Sequence, residues 1–422
     1  MTAEGAVGTA TVPAGSRPWA PLFSTPGYRE LLAACCLWHG GRWGGFFIAN
    51  YMLLQATGSP LVNQAAGAVF FAPMLLGGLR AGALSGRFDR RNLVRGGQAA
   101  VIPVSLLVAG AVWTGVAPVA AAFAFMLTLG ICALLEAVAL RPLVYETVGG
   151  GRLATRAFMV DTVVQASAAI TGIMLGGVVV DALGIGVAFA IIGAFFAGSV
   201  LLLGGVPSPQ AVPTANPVAE RSPVRSALRL LRRNELLGFI VAVTLVMNLF
   251  YYTFLPLIPA LAAEFGSGAS LAGLLGACAP AGQALAGLFV GTSAMRRTRL
   301  VFTVGAALGL LGLVLTGATA WLPLVFLGLL TAGAGQAGFV TMQSLLSIES
   351  TDERSRGIAL GSVSVAVGCM PFGLLIVGVA AEILDLRRAV LGAGAVGFTA
   401  LTAFAVRHRS LLRGHSPQAD LI

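Results

Sequence analysis

Residues 118–142 read PVAAAFAFMLTLGICALLEAVALRP, an apolar run long enough to form a helix across a bilayer. About 20 predominantly apolar residues suffice for that crossing. The run contains one carboxylate, Glu136, near its middle. A charged side chain at that depth is costly unless it has a partner or faces the interior of a bundle or a wet cavity. The stretch therefore predicts both a membrane helix and a candidate functional residue.

The composition of the whole chain points the same way. Of the 422 residues, 57% are hydrophobic and 10% are charged, and the mean hydropathy is +0.90. A soluble domain carries about 25% charged residues, so this chain is too apolar to cover a water-facing surface. All 26 basic residues are Arg, and most of them cluster in short segments between apolar runs. That pattern is typical of membrane topology. We therefore expect contact with a lipid bilayer and no nucleic acid.

Further apolar runs lie on both sides of residues 118–142. Together they predict an all-α membrane protein with about twelve transmembrane helices. A Pro-rich and then basic stretch at 205–235 divides these helices into two halves of six. Its composition is typical of a linker that ends in a helix on the membrane surface. The predicted spans 1 to 12 are 30–55, 61–83, 93–115, 118–142, 157–180, 184–204, 236–262, 268–291, 300–320, 322–346, 357–382 and 389–406.

Arginine is distributed unevenly between alternate connections. The connections after spans 2, 4, 8 and 10 carry Arg clusters, whereas those after spans 1, 3, 7 and 9 are free of Arg. Arg387 and Arg388, after span 11, are the exception. Because basic residues mark cytoplasmic loops, we expect a multi-pass protein of the cell inner (cytoplasmic) membrane with both termini in the cytoplasm. We also expect it to be a monomer. Its predicted parts are a cytoplasmic N-terminal tail 1–27, a six-helix half 28–204, a cytoplasmic linker 205–235, a second six-helix half 236–406 and a cytoplasmic C-terminal tail 407–422.

Polar residues concentrate in every third span, beginning with the first. Since such residues avoid lipid, spans 1, 4, 7 and 10 are predicted to line a central space, with the other spans as support. Tyr251 and Tyr252 are candidates to stack on a ligand, although packing explains them equally well. The candidate cavity residues are Arg42, Asn50, Glu136, Asn248, Tyr251, Tyr252, Gln336 and Gln343.

The midplane of span 1 carries an arginine. Arg42 lies about 13 residues past Arg29, which places it roughly 20 Å along the helix. An Arg at that depth needs an acidic partner or an anionic substrate. One interpretation is that Glu136 exchanges a proton, with Arg42, His39 and Asp161 as further coupling candidates. The alternative is a permanent Arg–Glu pair that locks the helices, with His39 as a hydrogen-bonded packing residue.

The sequence lacks the motifs of the enzyme and metal-site classes. The chain has no Lys, which excludes a Walker loop, and it has no Gly-x-Ser-x-Gly elbow. Its five cysteines fall inside apolar runs without metal-ligand spacing. We therefore expect no enzyme activity, no metal and no cofactor.

The connection after span 2 reads Gly82-Ala-Leu-Ser-Gly86-Arg87-Phe-Asp89-Arg90-Arg91. It resembles the loop signature of the major facilitator superfamily: a Gly, three residues, an Asp and a basic cluster. Here Gly86 occupies the usual Asp position, and Asp89 stands where a Gly is common. The Phe-Asp-Arg-Arg variant is similar to the efflux branch that includes siderophore and macrolide exporters. The resemblance implies a gating role for Gly82, Arg87, Asp89, Arg90 and Arg91.

Span 5 carries a second resemblance. Ala168-Ala-Ile-Thr-Gly172-Ile-Met-Leu-Gly176-Gly177 is similar to the antiporter motif of drug exporters in the same superfamily, without its Pro. The superfamily fold implies two six-helix bundles around a cavity lined by helices 1, 4, 7 and 10. It also implies transport by alternating access to a site near the midplane.

Three functions remain open from the sequence. The first is proton-coupled export of a small amphiphilic compound, such as a drug, a siderophore or a secondary metabolite. The second is import or facilitated transport of a polar or anionic metabolite. The third is a membrane protein that binds or senses a ligand without transporting it. The two motif resemblances favour export, while Arg42 suits an anionic substrate in either direction.

Overall fold

The computed structural model describes residues 20–85, 89–207, 229–293, 298–351, 355–409 and 411. These residues are almost entirely helical, and no strand occurs among them. Helices α1 to α12 follow predicted spans 1 to 12, after a short helical turn at Ala20–Phe23. They run Tyr28–Thr57, Pro60–Ser85, Arg90–Thr114, Pro118–Thr147, Gly151–Leu183, Ile185–Gly204, Glu235–Ala263 (in four segments), Ala269–Ser293, Thr298–Ala318, Leu322–Glu349, Arg356–Ile383 (in two segments) and Leu386–Arg407.

Within the described residues, eleven of these helices are long and apolar enough to cross a membrane by composition alone. The remaining one, α1, is 30 residues long and packs against α5 and α6. Its mean hydropathy is lowered by His39 and Arg42, which turn inward and are largely buried. The helix whose composition falls short of this is therefore the one that carries His39 and Arg42, the two basic groups of the charged site.

Side-chain caps and glycines set several helix ends. The Asp89 carboxylate accepts a hydrogen bond from the Asn92 amide at the start of α3 (3.0 Å), and Asn234 does the same for Leu237 at the start of α7 (2.9 Å). Gly58 ends α1 at φ +64°, a left-handed conformation that glycine adopts without strain. Most of the linker, including residues 208–228, lies outside the described residues, so the expected surface helix is described only at 229–233.

Helix α7 is not continuous, which the apolar run 236–262 did not predict. An α-helical segment Glu235–Val246 passes into a π-helical turn Met247–Tyr251, a 3₁₀ segment Tyr252–Leu257 and a last α-helical segment Ile258–Ala263. Pro256 lacks the N–H of a regular helix, which favours the break. The interruption frees backbone carbonyls on α7 for partners on another helix.

Those partners come from the other bundle. The amide of Gln64 on α2 donates to the Thr253 carbonyl (2.6 Å), and the amide of Asn63 donates to the Pro256 carbonyl (3.1 Å). Both amides are fully buried. The bundles also meet where α5 packs against α8 and where α2 packs against α11. The interbundle hydrogen bonds described here lie at the end of the molecule predicted to be external.

Candidate functional site

The buried charged site lies between α1 and α4. Arg42 donates from Nη1 to Oε2 of Glu136 at 2.9 Å, and His39 Nε2 lies 3.7 Å from Oε1 of the same carboxylate. The Glu136 side chain is 8% exposed, His39 is 2% and Arg42 is 11%. The ion pair is therefore largely shielded from solvent, and the His39 ring lies next to it, just beyond hydrogen-bond distance of the carboxylate.

Aromatic rings cover the arginine. The Arg42 guanidinium carbon lies 5.3 Å from the centroid of the Trp38 ring and 5.0 Å from that of the Trp43 ring, which is cation–π range. Trp38 in turn packs edge-on against Phe196 of α6 (5.4 Å). These contacts hold the guanidinium in place without adding a second countercharge.

Several polar atoms around the pair have no hydrogen-bond partner. Among the described residues they are both ring nitrogens of His39 and Nε of Arg42, all buried. Buried polar groups are normally satisfied, so a cluster of unsatisfied ones is unusual and is found at functional sites. The charged site therefore has donors and acceptors available to a proton or a ligand.

Asp161, the fourth coupling candidate, lies on α5. It faces the Cys35 thiol and the Arg141 side chain, and Arg141 is its largest favourable charge interaction. One carboxylate oxygen, Oδ1, is buried and has no hydrogen-bond partner. Asp161 is thus a further acidic group near the charged site, and it interacts electrostatically with both Arg42 and Glu136.

The C-terminal bundle holds a neutral polar site between α7 and α10. The Tyr251 hydroxyl donates to the Ala332 carbonyl (2.9 Å) and lies 3.2 Å from Oε1 of Gln336. The Gln336 amide donates to the Tyr252 hydroxyl (3.3 Å), and the Gln343 amide donates to the Thr244 hydroxyl (2.6 Å). The π-helical turn of α7 positions these groups, and such turns recur at functional sites.

Two buried asparagines occupy corresponding places in the two bundles. Asn50 on α1 donates to the Phe46 carbonyl, and Asn248 on α7 donates to the Thr244 carbonyl, each at 2.8 Å within its own helix. Both are 1% exposed, and the carboxamide oxygen of each has no partner. They lie inside the bundles, and their free oxygens leave acceptor capacity there.

An aromatic series joins the two sites. Trp43 packs against Phe46 (6.0 Å) and Phe46 against Phe71 of α2 (6.4 Å). Phe71 and Tyr252 pack against the same small apolar cluster of Ala68, Met370 and Leu374. Sequence reasoning identified the polar ends and missed these rings. Their signal was the presence of Trp and Phe beside polar positions in span 1.

The gating residues predicted in the 82–91 segment lie in different elements. Gly82 belongs to α2, and Arg87 lies outside the described residues. Asp89 caps α3, as described above. Arg90 forms an ion pair with Glu146 at the end of α4, and Arg91 donates to the Val206 carbonyl (2.7 Å). Arg90 and Arg91 therefore fasten this loop to elements of the N-terminal bundle.

The glycines of span 5 are places of close helix approach. A Cβ at Gly172 would overlap the backbone of Gly40 on α1, and one at Gly177 would overlap the Ala269 carbonyl of α8 in the other bundle. Gly176 faces the Ile48 and Phe47 side chains. Gly177 is thus an interbundle contact. Among the described residues, no three His, Cys, Asp or Glu side chains are grouped to hold a metal ion.

A family model described as "Major Facilitator Superfamily" matches residues 31–368 and, in a second match, residues 240–420. The chain belongs to this superfamily. Members of the Major Facilitator Superfamily are transporters, and the fold supports secondary transport by alternating access. No curated protein sequence matches the chain significantly.

Solved structures share this Major Facilitator Superfamily fold at low identity. A POT family transporter in complex with 5-aminolevulinic acid is 10% identical with a TM-score of 0.72, covering 92% of this chain and 97% of that one. A mutant of the nucleoside transporter NupG is 13% identical with a TM-score of 0.70, covering 89% and 98%. An inward-facing bacterial homolog of the human lysosomal transporter Spinster is 15% identical with a TM-score of 0.60, covering 93% and 95%. These likenesses support the fold and leave the substrate open.

Proposed function

We propose that this Major Facilitator Superfamily member is a proton-coupled exporter of a small amphiphilic compound, such as a drug, a siderophore or a secondary metabolite. The observation that carries the proposal is the buried Arg42–Glu136 pair beside His39, with aromatic rings leading from it to a neutral polar site. The export direction rests on the resemblances of the 82–91 loop and of span 5.

Proton coupling follows from two opposing effects on Glu136. Burial favours the protonated carboxyl, whereas the adjacent guanidinium of Arg42 favours the carboxylate. A change of access that alters solvation or the Arg42 distance shifts this balance. Glu136 then takes up a proton when the site faces one side of the membrane and releases it when the site faces the other.

An amphiphilic substrate fits the chemistry of the neutral site. Tyr252, Gln336 and Gln343 are partly exposed and offer hydroxyl and amide groups without charge. The partly exposed rings of Trp43 and Phe71, which pack on either side of the buried Phe46, offer apolar and π surface between these groups and the charged pair. Such a site holds a molecule with one polar end and an aromatic or apolar body.

Proton-coupled uptake of an anion is the second candidate, and the same ion pair favours it. An anion bound to Arg42 competes with the Glu136 carboxylate for the guanidinium. Loss of that partner favours protonation of Glu136, so the anion and the proton bind together and move in the same direction. A cationic substrate instead competes with the proton at Glu136, which yields exchange.

Proton flux in proteoliposomes distinguishes the candidates. A gradient of ethidium, an aromatic cation, is applied to vesicles loaded with a pH-sensitive dye, and a gradient of benzoate is applied to a parallel sample. The export proposal expects protons to move against ethidium and no response to benzoate. Proton movement with benzoate alone, faster than the passive entry of benzoic acid into protein-free vesicles, would replace it by anion uptake. Binding of either probe without any flux would instead indicate a ligand-binding or sensor protein.

A further inference from the structure

Two short segments of the chain share a pattern that the sequence analysis missed. Residues 177–183 read GVVVDAL, and residues 378–384 read GVAAEIL. Each has Gly-Val, an acidic residue four positions after the glycine, and a Leu two positions later. The segments end α5 and α11, which occupy corresponding places in the two bundles. The pattern is therefore an internal repeat at the same end of the molecule.

The first acidic residue caps a helix of the opposite bundle. Asp181 accepts a hydrogen bond from the Ala269 backbone amide at Oδ1 (2.9 Å) and another from the Ser270 amide at Oδ2 (2.7 Å). These two amides are the first of α8, and a helix N-terminus leaves such donors without intrahelical partners. A residue of the N-terminal bundle therefore completes a helix of the C-terminal bundle.

The second acidic residue does the same in the reverse direction. Oε1 of Glu382 accepts a hydrogen bond from the Ser59 hydroxyl and another from the Leu61 backbone amide (3.3 Å), at the start of α2. Here a residue of the C-terminal bundle completes a helix of the N-terminal bundle. We name the two contacts the Asp181 latch and the Glu382 latch.

The glycine one turn earlier makes each latch possible. A Cβ at Gly177 would overlap the Ala269 backbone, and a Cβ at Gly378 would crowd the side chains of Gln64 and Leu61. The lack of a side chain at both positions lets the helices approach closely enough for the carboxylate to reach the opposing amides. In each repeat, the glycine therefore permits the close helix approach, and the acidic residue caps the opposing helix.

Among the described residues, the hydrogen bonds of the Asp181 and Glu382 carboxylates come from the groups at these two helix starts. Tyr51 is a titratable group that interacts with Asp181, and its hydroxyl accepts a hydrogen bond from the Gln55 amide. Near Glu382, the neighbouring Asp385 pairs with Arg388 (3.2 Å) and caps α12 of its own bundle. An anion at a helix N-terminus is also favoured by the helix dipole. Because each cap crosses between bundles, its free energy depends on the bundles staying together at this end.

We propose that Asp181 and Glu382 are paired gate residues that hold the predicted external side closed, and that both must release when that side opens. The inference uses only the alternating access of the fold. It is independent of the substrate and of proton coupling, so the failure of either would leave it standing.

The test measures the opening of that end directly in the full-length protein in liposomes. Spin labels at Ala56→Cys and Ser267→Cys, both exposed positions on opposite bundles, report the distance across the external end. The native cysteines are replaced in this background. Loss of a cap costs about 1 kcal/mol, so Asp181→Ala or Glu382→Ala should raise the open-to-closed ratio about five-fold. The double variant should raise it about 25-fold, since the two sites lie apart.

Two controls make the result specific. Asp385→Gly removes a cap at the same end but within one bundle, and it should leave the distance distribution unchanged. Glu382→Gln keeps an acceptor oxygen for Ser59 and Leu61 and should stay within about two-fold of the parent. If an alanine variant does not fold, Glu382→Asp keeps the charge and shortens the reach. The proposal would be overturned if the folded alanine variants kept the distances of the parent. It would also be overturned if Asp385→Gly shifted the distance distribution as much as the alanine variants do, or if Glu382→Gln shifted it as much as Glu382→Ala.

Discussion

The two bundles put different chemistry at corresponding positions. Between α1 and α4, Arg42 and Glu136 form a buried ion pair. Between α7 and α10, the corresponding helices bring together tyrosines and glutamines without any charge. The free energy of a buried charge changes strongly when water enters its site. The free energy of a neutral hydrogen-bonded group changes little. From this difference we infer that the N-terminal bundle provides the proton coupling and the C-terminal bundle provides the substrate contacts.

The largest expected effect is on transport, and it comes from removing the negative charge of Glu136 in the N-terminal bundle. Glu136→Gln resembles the protonated state permanently, so it should reduce transport driven by a pH gradient to background. Substrate exchange between equal compartments needs no net proton movement and should persist. Both activities are measured in the same proteoliposomes, with Glu264→Gln, a carboxylate outside the site that pairs with Arg387, as the matched control.

The outcome for Glu136→Gln separates coupling from a structural lock. If Glu136 only holds the helices together, exchange and folded yield should fall along with the pH-driven transport. Full pH-driven transport in a stable Glu136→Gln protein would remove Glu136 from the mechanism. Asp161 on α5, the remaining acidic coupling candidate predicted from the sequence, would then be the next to test.

The second effect is on stability, and it compares a buried pair with an exposed one. Arg42→Gln leaves Glu136 buried without its countercharge, which should lower the free energy of unfolding by about 3–5 kcal/mol. Arg388→Gln breaks the Asp385 pair, whose side chains are 73% and 49% exposed, and should cost about 1 kcal/mol or less. Thermal unfolding in detergent measures both. Adding Glu136→Gln to Arg42→Gln should recover most of the loss. Additive losses in the double variant would contradict a direct pairing.

Much of this comparison could be predicted from the sequence, because lipid imposes simple rules. Apolar runs located all twelve helices, with bounds close to those observed, and polar content identified the spans that carry the two sites. The interruption of α7 could not be predicted, because the break at Pro256 is completed by the amides of Asn63 and Gln64 from a distant helix. The same holds for the Asp181 latch, since only the fold brings α5 to the start of α8.

A third effect concerns rate and lies outside both sites. Arg90 pairs with Glu146 at the end predicted to be cytoplasmic. Arg90→Ala should slow transport several-fold while leaving substrate affinity unchanged, because the pair lies far from the midplane. Glu146→Ala should have the same effect, and the double variant should be no slower than either. Rates from proteoliposomes and affinities from equilibrium binding test this. An equal loss of affinity would point to misfolding or to a site nearer the surface.

The smallest effect separates two adjacent tyrosines of the neutral site. Tyr252 is partly exposed and its hydroxyl accepts from Gln336, whereas Tyr251 is fully buried and donates to the Ala332 carbonyl. One neutral hydrogen bond contributes about 1 kcal/mol, which is about five-fold in affinity. Tyr252→Phe should therefore raise the KM for substrate about five-fold with unchanged thermal stability. Tyr251→Phe removes a fully buried hydrogen bond to a helix carbonyl, so it should lower stability by about 1 kcal/mol with KM unchanged. If both variants changed only stability, the neutral site would be a packing feature, and substrate contact would move to the aromatic series around Trp43.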